Sequence, residues 1–186
     1  PPPPSPLSLP TTIFDFSGGI ATGLGWSTGG GNYAFTKKEG STGSGGTGPS
    51  AGVGGSGSYL YAETSSPRVQ GDLFTLSYDG SACSDVGLRV STVAFHYHMY
   101  GADMGELRLI NAAGEAVWSL SGDRGNAWQA VSVGVFSASF AFEYRRGDGW
   151  WGDAAVAQVA VSCGAAPPPS PPSPPSLPPP PPSQPT

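Results

Sequence analysis

Charge is what this chain most lacks. Lys, Arg, Asp and Glu make up 11% of its 186 residues, and the formal net charge is −5. That share is less than half of what a soluble domain ordinarily carries. Phosphate neutralisation needs clustered Lys and Arg, so a mildly acidic chain with 8 such residues is a poor nucleic-acid binder. Its only adjacent basic pairs, Lys37-Lys38 and Arg145-Arg146, make no patch. No apolar run approaches the roughly 18 residues that span a bilayer. No G-x-S-x-G elbow, P-loop or H-E-x-x-H site is expected, and no catalysis is expected. Asn32, Asn111 and Asn126 all lack Ser or Thr two positions on, so there is no N-glycosylation acceptor. With neither an initiator Met nor a leader, the chain reads as a mature piece or one repeat of a longer precursor.

Cysteine is nearly as scarce. Cys83 and Cys163 are the only two, and the spacings of zinc sites do not occur. They could be buried thiols or one disulfide in an oxidising compartment. The disulfide is the expectation, because Cys163 ends the last strand-like segment, where a staple would anchor it. Closing a loop of about 80 residues contributes about 4 kcal/mol in the chain-entropy model, an upper figure.

What the middle lacks in proline, the ends hold in excess. All but Pro49 and Pro67 of the 21 prolines lie in residues 1–10 and 167–186, while all 29 glycines and every charged residue lie between. The division expected is a Pro/Ser-rich linker over 1–10, one folded module over 11–166, and a Pro/Ser-rich tail over 167–186. Proline runs favour polyproline II, rising ~3.1 Å per residue, so the C-terminal tail would extend on the order of 60 Å. Such segments could be passive linkers, glycosylated stalks or groove-binding ligands. The serine spacing favours the stalk.

The middle reads as β throughout. Period-two alternation recurs at Phe74, Leu76, Tyr78, at Val93, Phe95, Tyr97, Met99, and at Val131, Val133, Val135. It continues at Phe140, Phe142, Tyr144 and ends at Val159, Val161, Cys163. Short strands between Gly, Ser, Asn and Asp turns predict an all-β, antiparallel sandwich. Asn111-Ala112-Ala113-Gly114 reads as a hairpin loop with Gly in the left-handed position, and Ser121 to Asn126 as the next reversal. Residues 40–57 read as a Gly/Ser/Thr loop held only by its flanking strands.

Several segments, in order, resemble one family. They include Gly23-Leu24-Gly25-Trp26 after Phe14-Asp15-Phe16, Gly57-Ser58-Tyr59-Leu60-Tyr61-Ala62-Glu63, and Ser65-Ser66-Pro67. Phe95-His96-Tyr97-His98-Met99-Tyr100-Gly101, Met104-Gly105-Glu106-Leu107 and the stretch Trp118 to Trp128 follow. Arg146-Gly147-Asp148-Gly149-Trp150-Trp151-Gly152-Asp153-Ala154-Ala155 closes the series. Over Ile13 to Cys163 the chain is similar to the MAM domain of meprins, neuropilins and receptor tyrosine phosphatases. The resemblance implies a jelly-roll β-sandwich acting as an extracellular adhesion or oligomerisation module, without catalysis of its own. Three departures stand out. The family's first cysteine pair is replaced near Ile13 and Leu24, its third cysteine falls near Thr92 rather than at Cys83, and its acidic pair is replaced by Ala157-Gln158, which weakens any inherited cation site.

The tails resemble hydroxyproline-rich (extensin-like) glycoproteins of green-plant and green-algal walls. That implies hydroxylation and O-linked glycans at Pro2, Pro3, Pro4 and Ser5, and at Pro168, Pro169, Ser170, Pro171, Pro172, Ser173, Pro174, Pro175, Ser176, Pro179, Pro180 and Pro181. A secreted glycoprotein of a matrix, wall or ciliary surface fibre is the setting this implies. Its partners would be further copies of itself, other Pro-rich glycoproteins, or glycans.

Individual residues add candidates. Trp150 and Trp151, if in a strand, face opposite ways, and an exposed one could stack on a sugar or proline. The competing expectation packs both into the sandwich end. Tyr100 joins them as an assembly candidate. Asp15, Asp148 and Asp153 could share a calcium ion, although turn-capping carboxylates are commoner. No other cofactor is implied. His96 and His98 share one face of a strand, a spacing that can chelate a metal, but an outward or rim-facing structural pair is expected. Arg146-Gly147-Asp148 spells an adhesion tripeptide inside what reads as a turn. A carbohydrate-binding module is the alternative function.

Overall fold

The computed structural model describes residues 9–20 and 22–165. The candidate hydroxyproline and glycan positions of both tails lie outside the described residues. Among the described residues twelve strands form two stacked sheets, as the alternation predicts, and the module is a jelly-roll β-sandwich.

In the first sheet β10 (Gln129–Ser137), β7 (Arg89–Met99), β12 (Ala154–Gly164), β5 (Ser58–Ala62) and β4 (Thr36–Glu39) lie in that order. β1 (Thr11–Phe14) pairs with the second half of β12, from Val159 to Ser162. The second sheet runs β2 (Trp26–Ser27), β6 (Leu73–Tyr78), β11 (Phe140–Arg145), β8 (Glu106–Asn111), β9 (Ala116–Ser121). Its two-residue β3 (Tyr33–Ala34) pairs with β6 in parallel, the one departure from antiparallel order. A single turn of α-helix, α1 (Ser81–Ser84), carries Cys83.

Alternation puts the aromatic residues between the sheets, where apolar burial drives the fold. Phe95 of β7 meets Phe142 of β11 across the gap at 4.8 Å between ring centroids, and Trp118 at 5.2 Å. A second cluster gathers Phe14, Phe16, Tyr78 and Phe140 around the fully buried Trp26. The Asn111 hairpin forms as expected. Asn111 Oδ1 accepts from the amides of Ala113 and Glu115, and Gly114 takes φ 80°.

The 40–57 segment overturns its expectation of being loosely held. It folds over the outer face of the first sheet and covers Tyr59, Tyr61, Ala155 and Ala157. Tyr59 donates its hydroxyl to Gly40 O at 2.7 Å, and Trp128 Nε1 donates to Ala51 O at 2.8 Å. Strand β5 is therefore buried on both faces, and so is the start of β12.

The module has two distinct ends. β1 and the close of β12 lie side by side, and the Cys163 amide donates to Pro10 O at 2.9 Å, so both tails attach at one end. The Cys83–Cys163 disulfide lies at this end too. The opposite end, roughly 35 Å away by the rise of eleven strand residues, carries the loop from Arg146 to Asp153.

Candidate functional site

Trp150 and Trp151 lie in that loop, not in a strand. Neither expectation for them holds. Both indoles are exposed, at 45% and 41%, and they stack on each other at 4.5 Å with a 41° tilt. Their backbone is held from several sides. Thr64 Oγ1 donates to Trp150 O at 2.9 Å, the Asp103 amide donates to Trp151 O at 3.0 Å, and the Trp151 amide donates to Asp103 Oδ2 at 3.2 Å. Tyr144, buried beneath, donates to Gly152 O at 2.6 Å while accepting from the Gly105 amide at 2.7 Å. Burial pushes its phenol well above the ordinary range. Glycine is required here for close approach: a Cβ at Gly101 would stand 2.1 Å from Trp151 O, and one at Gly149 1.8 Å from Asp103 Oδ2. Two exposed aromatic rings on a fixed backbone lose little freedom when a partner covers them.

Asp153 anchors the far side of the loop. It is fully buried; its Oδ1 accepts from the Thr64 amide at 2.9 Å and lies 3.0 Å from Thr64 Oγ1, whose single proton is shared between this carboxylate and Trp150 O, and its own amide donates to Thr47 Oγ1 at 2.8 Å. Oδ2 has no partner. Desolvation raises its pKa to about 6, against the lowering effect of the Thr64 hydrogen bonds.

Asp15, Asp148 and Asp153 do not converge. Asp15 follows β1 at the level of Val159, Asp153 precedes β12, and Asp148 is exposed in the tryptophan loop. Among the described residues no group of three or more His, Cys, Asp or Glu side chains could hold a metal ion. Asp15 is satisfied locally: the Ser17 amide and hydroxyl both donate to its Oδ1 at 2.9 Å, which lowers its pKa. The positive charge beside it is Lys37, bonded to Ser17 O at 2.6 Å and paired with Glu39 at 3.1 Å. With Ala157 buried and Gln158 where the family pattern has acids, these residues do not fit a cation site.

His96 and His98 share the outer face of β7, as the outward expectation has it; His96 is half-buried there. His98 is buried under the 40–57 loop, its Nε2 3.1 Å from Asn126 Oδ1 and its ring against Trp128 at 5.4 Å. Burial lowers its pKa. Gly48-Pro49-Ser50-Ala51-Gly52 does spell G-x-S-x-G. Ser50 nevertheless lies in an irregular loop rather than on a strand-to-helix turn, and no hydrogen bond joins it to His98.

Arg146 settles the tripeptide. Its guanidinium is buried, with Nε donating to Thr64 O at 2.8 Å and Nη1 to Gly147 O at 3.0 Å. A buried arginine offers nothing to a receptor, so the turn expectation is the one the geometry supports. Asp148→Glu should leave both folding and cell attachment unchanged. Arg146→Ala should cost about 2 kcal/mol in urea unfolding, by leaving a cavity and an unpaired Thr64 carbonyl.

Comparisons with known proteins agree with this architecture. The family model described as MAM domain, meprin/A5/mu, matches residues 16–164. MAM domain-containing glycosylphosphatidylinositol anchor protein 1 of Gallus gallus is 36% identical over 132 residues, covering 65% of this chain and 14% of that protein. Protein 2 of the same description from Mus musculus is 34% identical over 134 residues, covering 63% of this chain and 14% of its own length. The chain thus spans about a seventh of these relatives. Among solved structures, the K2 cleaved adhesin domain of Lys-gingipain superposes with a TM-score of 0.56 at 12% identity, covering 82% of this chain and 99% of that one. The CBM27-1 module of Caldicellulosiruptor saccharolyticus, solved with mannohexaose, gives 0.53 at 12% identity, covering 86% and 100%. At these identities the likeness shows the fold alone. From Phe16 through Gly164, this chain belongs to the MAM domain family.

Proposed function

We propose that the sandwich is a non-catalytic adhesive module of a secreted, proline-rich glycoprotein, mediating assembly of an extracellular matrix, a cell wall or a ciliary surface fibre. The observation that carries this is the exposed Trp150–Trp151 pair, fixed at the end of the module opposite both tails. Large rigid aromatics in such positions supply most of the energy of protein interfaces. Membership of the MAM family and relatives described as glycosylphosphatidylinositol anchor proteins support a setting outside the cell. Residues 1–10 and 167–186 act in this proposal as polyproline II spacers around the module over 11–166, hydroxylated and O-glycosylated. Intact mass with +16 increments and sugar ladders tests that part directly.

Association is the test of the module itself. Light scattering over a concentration series should show the mass of the parent chain rising, and Trp150→Ala/Trp151→Ala should hold it at the monomer value. Each indole is more than half covered, so the double variant should lose on the order of 2 kcal/mol of stability yet remain folded. A parent that stays monomeric throughout would count against the proposal.

A carbohydrate-binding role is the second reading. Two half-exposed indoles beside a hydroxyl-rich groove favour it, since sugars stack on such rings. Its test is a polysaccharide pull-down with the same double variant as control.

A further inference from the structure

We infer that the Trp150–Trp151 platform and the groove beside it take a proline-rich strand in the polyproline II conformation, supplied by the tail of a second copy of this chain. This rests on the adhesive proposal above and names its partner.

A groove of about 370 Å³ opens next to the platform, lined by residues that include Ser41, Ser44, Gly46, Pro49, Tyr100 and Asn126, and none of its lining residues is charged. A Cβ on Gly46 would lie 3.7 Å from Trp151 Nε1, so the groove runs up against the indole. The N–H edge of the Trp151 indole and the Tyr100 ring therefore stand beside the groove's polar groups. Asn126 has its Oδ1 within 3.1 Å of His98 Nε2, which leaves its amide nitrogen to donate. A proline run offers the complement: apolar rings, carbonyl acceptors and no backbone N–H. Aromatic-lined grooves with a few donors are the surfaces that recognise such strands.

The chain carries that ligand itself. Residues 1–10 and 167–186 hold 19 of its 21 prolines and no charge, matching an uncharged groove. Both tails attach roughly 35 Å from the platform, at the other end of β12. A chain's own C-terminal tail would have to double back at once through Pro167-Pro168-Pro169, whose fixed φ angles oppose a reversal. The tail of a neighbour meets no such obstacle. Head-to-tail contact of this kind is heterologous, and where its rotation does not close into a ring it propagates as a fibre.

The test titrates the full chain with a synthetic, unmodified peptide of the sequence Pro167–Thr186, read by tryptophan fluorescence and light scattering. The peptide should bind saturably and dissolve self-association. Trp150→Ala/Trp151→Ala should weaken its binding at least tenfold, and Trp151→Phe, which keeps a ring but loses the donor, should give an intermediate loss. If the peptide fails to bind while the double variant still abolishes association of the parent, the inference falls, the partner is a sandwich surface, and the adhesive proposal stands. Equal binding to parent and double variant would remove the platform as the site. A polysaccharide that perturbs the indoles where the peptide does not would overturn the inference in favour of a glycan.

Discussion

Replacing both bridged cysteines, Cys83→Ala/Cys163→Ala, is expected to lower stability by about 4 kcal/mol, an upper figure set by the entropy of the loop it releases. The bridge joins residues 80 apart and is fully buried, so its removal also leaves two small voids. Cys83 sits in a helix of four residues, far too short to hold itself. Without the bridge, α1 should detach from the end of β12 first. For a domain near 150 residues, 4 kcal/mol corresponds to a fall of roughly 8–16 °C in Tm. Thermal melts of the parent in the presence and absence of reductant, beside the double variant, measure it. A fall of less than about 2 °C would show that the loop is constrained by packing alone. The bridge lies where both tails would load the module.

The second large effect concerns Asp153. Its folded carboxyl holds a proton up to about pH 6, against an ordinary value of 3.8, so the native state binds more protons than the unfolded chain between those values. Stability from this group is therefore fully present below about pH 4 and is lost as pH rises through 6. A shift of about 2 pH units corresponds to about 3 kcal/mol. Other groups pull the opposite way. Burial lowers the pKa of His98, whose contribution is lost as pH falls below its ordinary 6.5, and Asp15 and Glu39 are both lowered by hydrogen bonds. The parent's own pH profile is thus a sum. Asp153→Asn keeps the oxygen that accepts from Thr64 and carries no charge at any pH. Urea unfolding should show the variant gaining on the parent by about 3 kcal/mol between pH 4 and pH 7.5. A difference independent of pH would mean that Asp153 is ionised in the folded state without penalty.

Much of the sandwich is legible in the residues because burial on one face writes a period of two. Phe74, Leu76 and Tyr78 face inward on β6, as do Phe140, Phe142 and Tyr144 on β11. The period fails where both faces are buried. Ser58–Ala62 and Ala154–Ala157 carry no alternation, because a glycine-rich segment distant in sequence covers their outer side. Nothing in residues 40–57 resembles a core-forming element; its hold comes from single hydroxyls such as Thr42 and Thr47, donating to backbone carbonyls at 2.8 and 3.0 Å. The covered His98 is the casualty of that blind spot.

The exposure of the tryptophan pair has a related cause. Adjacent aromatics suggest a strand, but Gly147, Gly149 and Gly152 bracket them, and each lets the loop close on Asp103. Three glycines around two tryptophans were the available signal for a tight, exposed loop. The alternating-face argument does not apply to such a loop, which is how both rings come to be exposed.

The most direct test of the central claim asks whether these rings are covered in the assembly. Hydroxyl-radical footprinting read by mass spectrometry, on dilute and associated protein, reports each side chain separately. Oxidation of Trp150 and Trp151 should fall several-fold on association, while Phe136 and Val86, exposed at 61% and 58% elsewhere, should stay unchanged. Association that leaves both tryptophans as reactive as in the monomer would contradict the account.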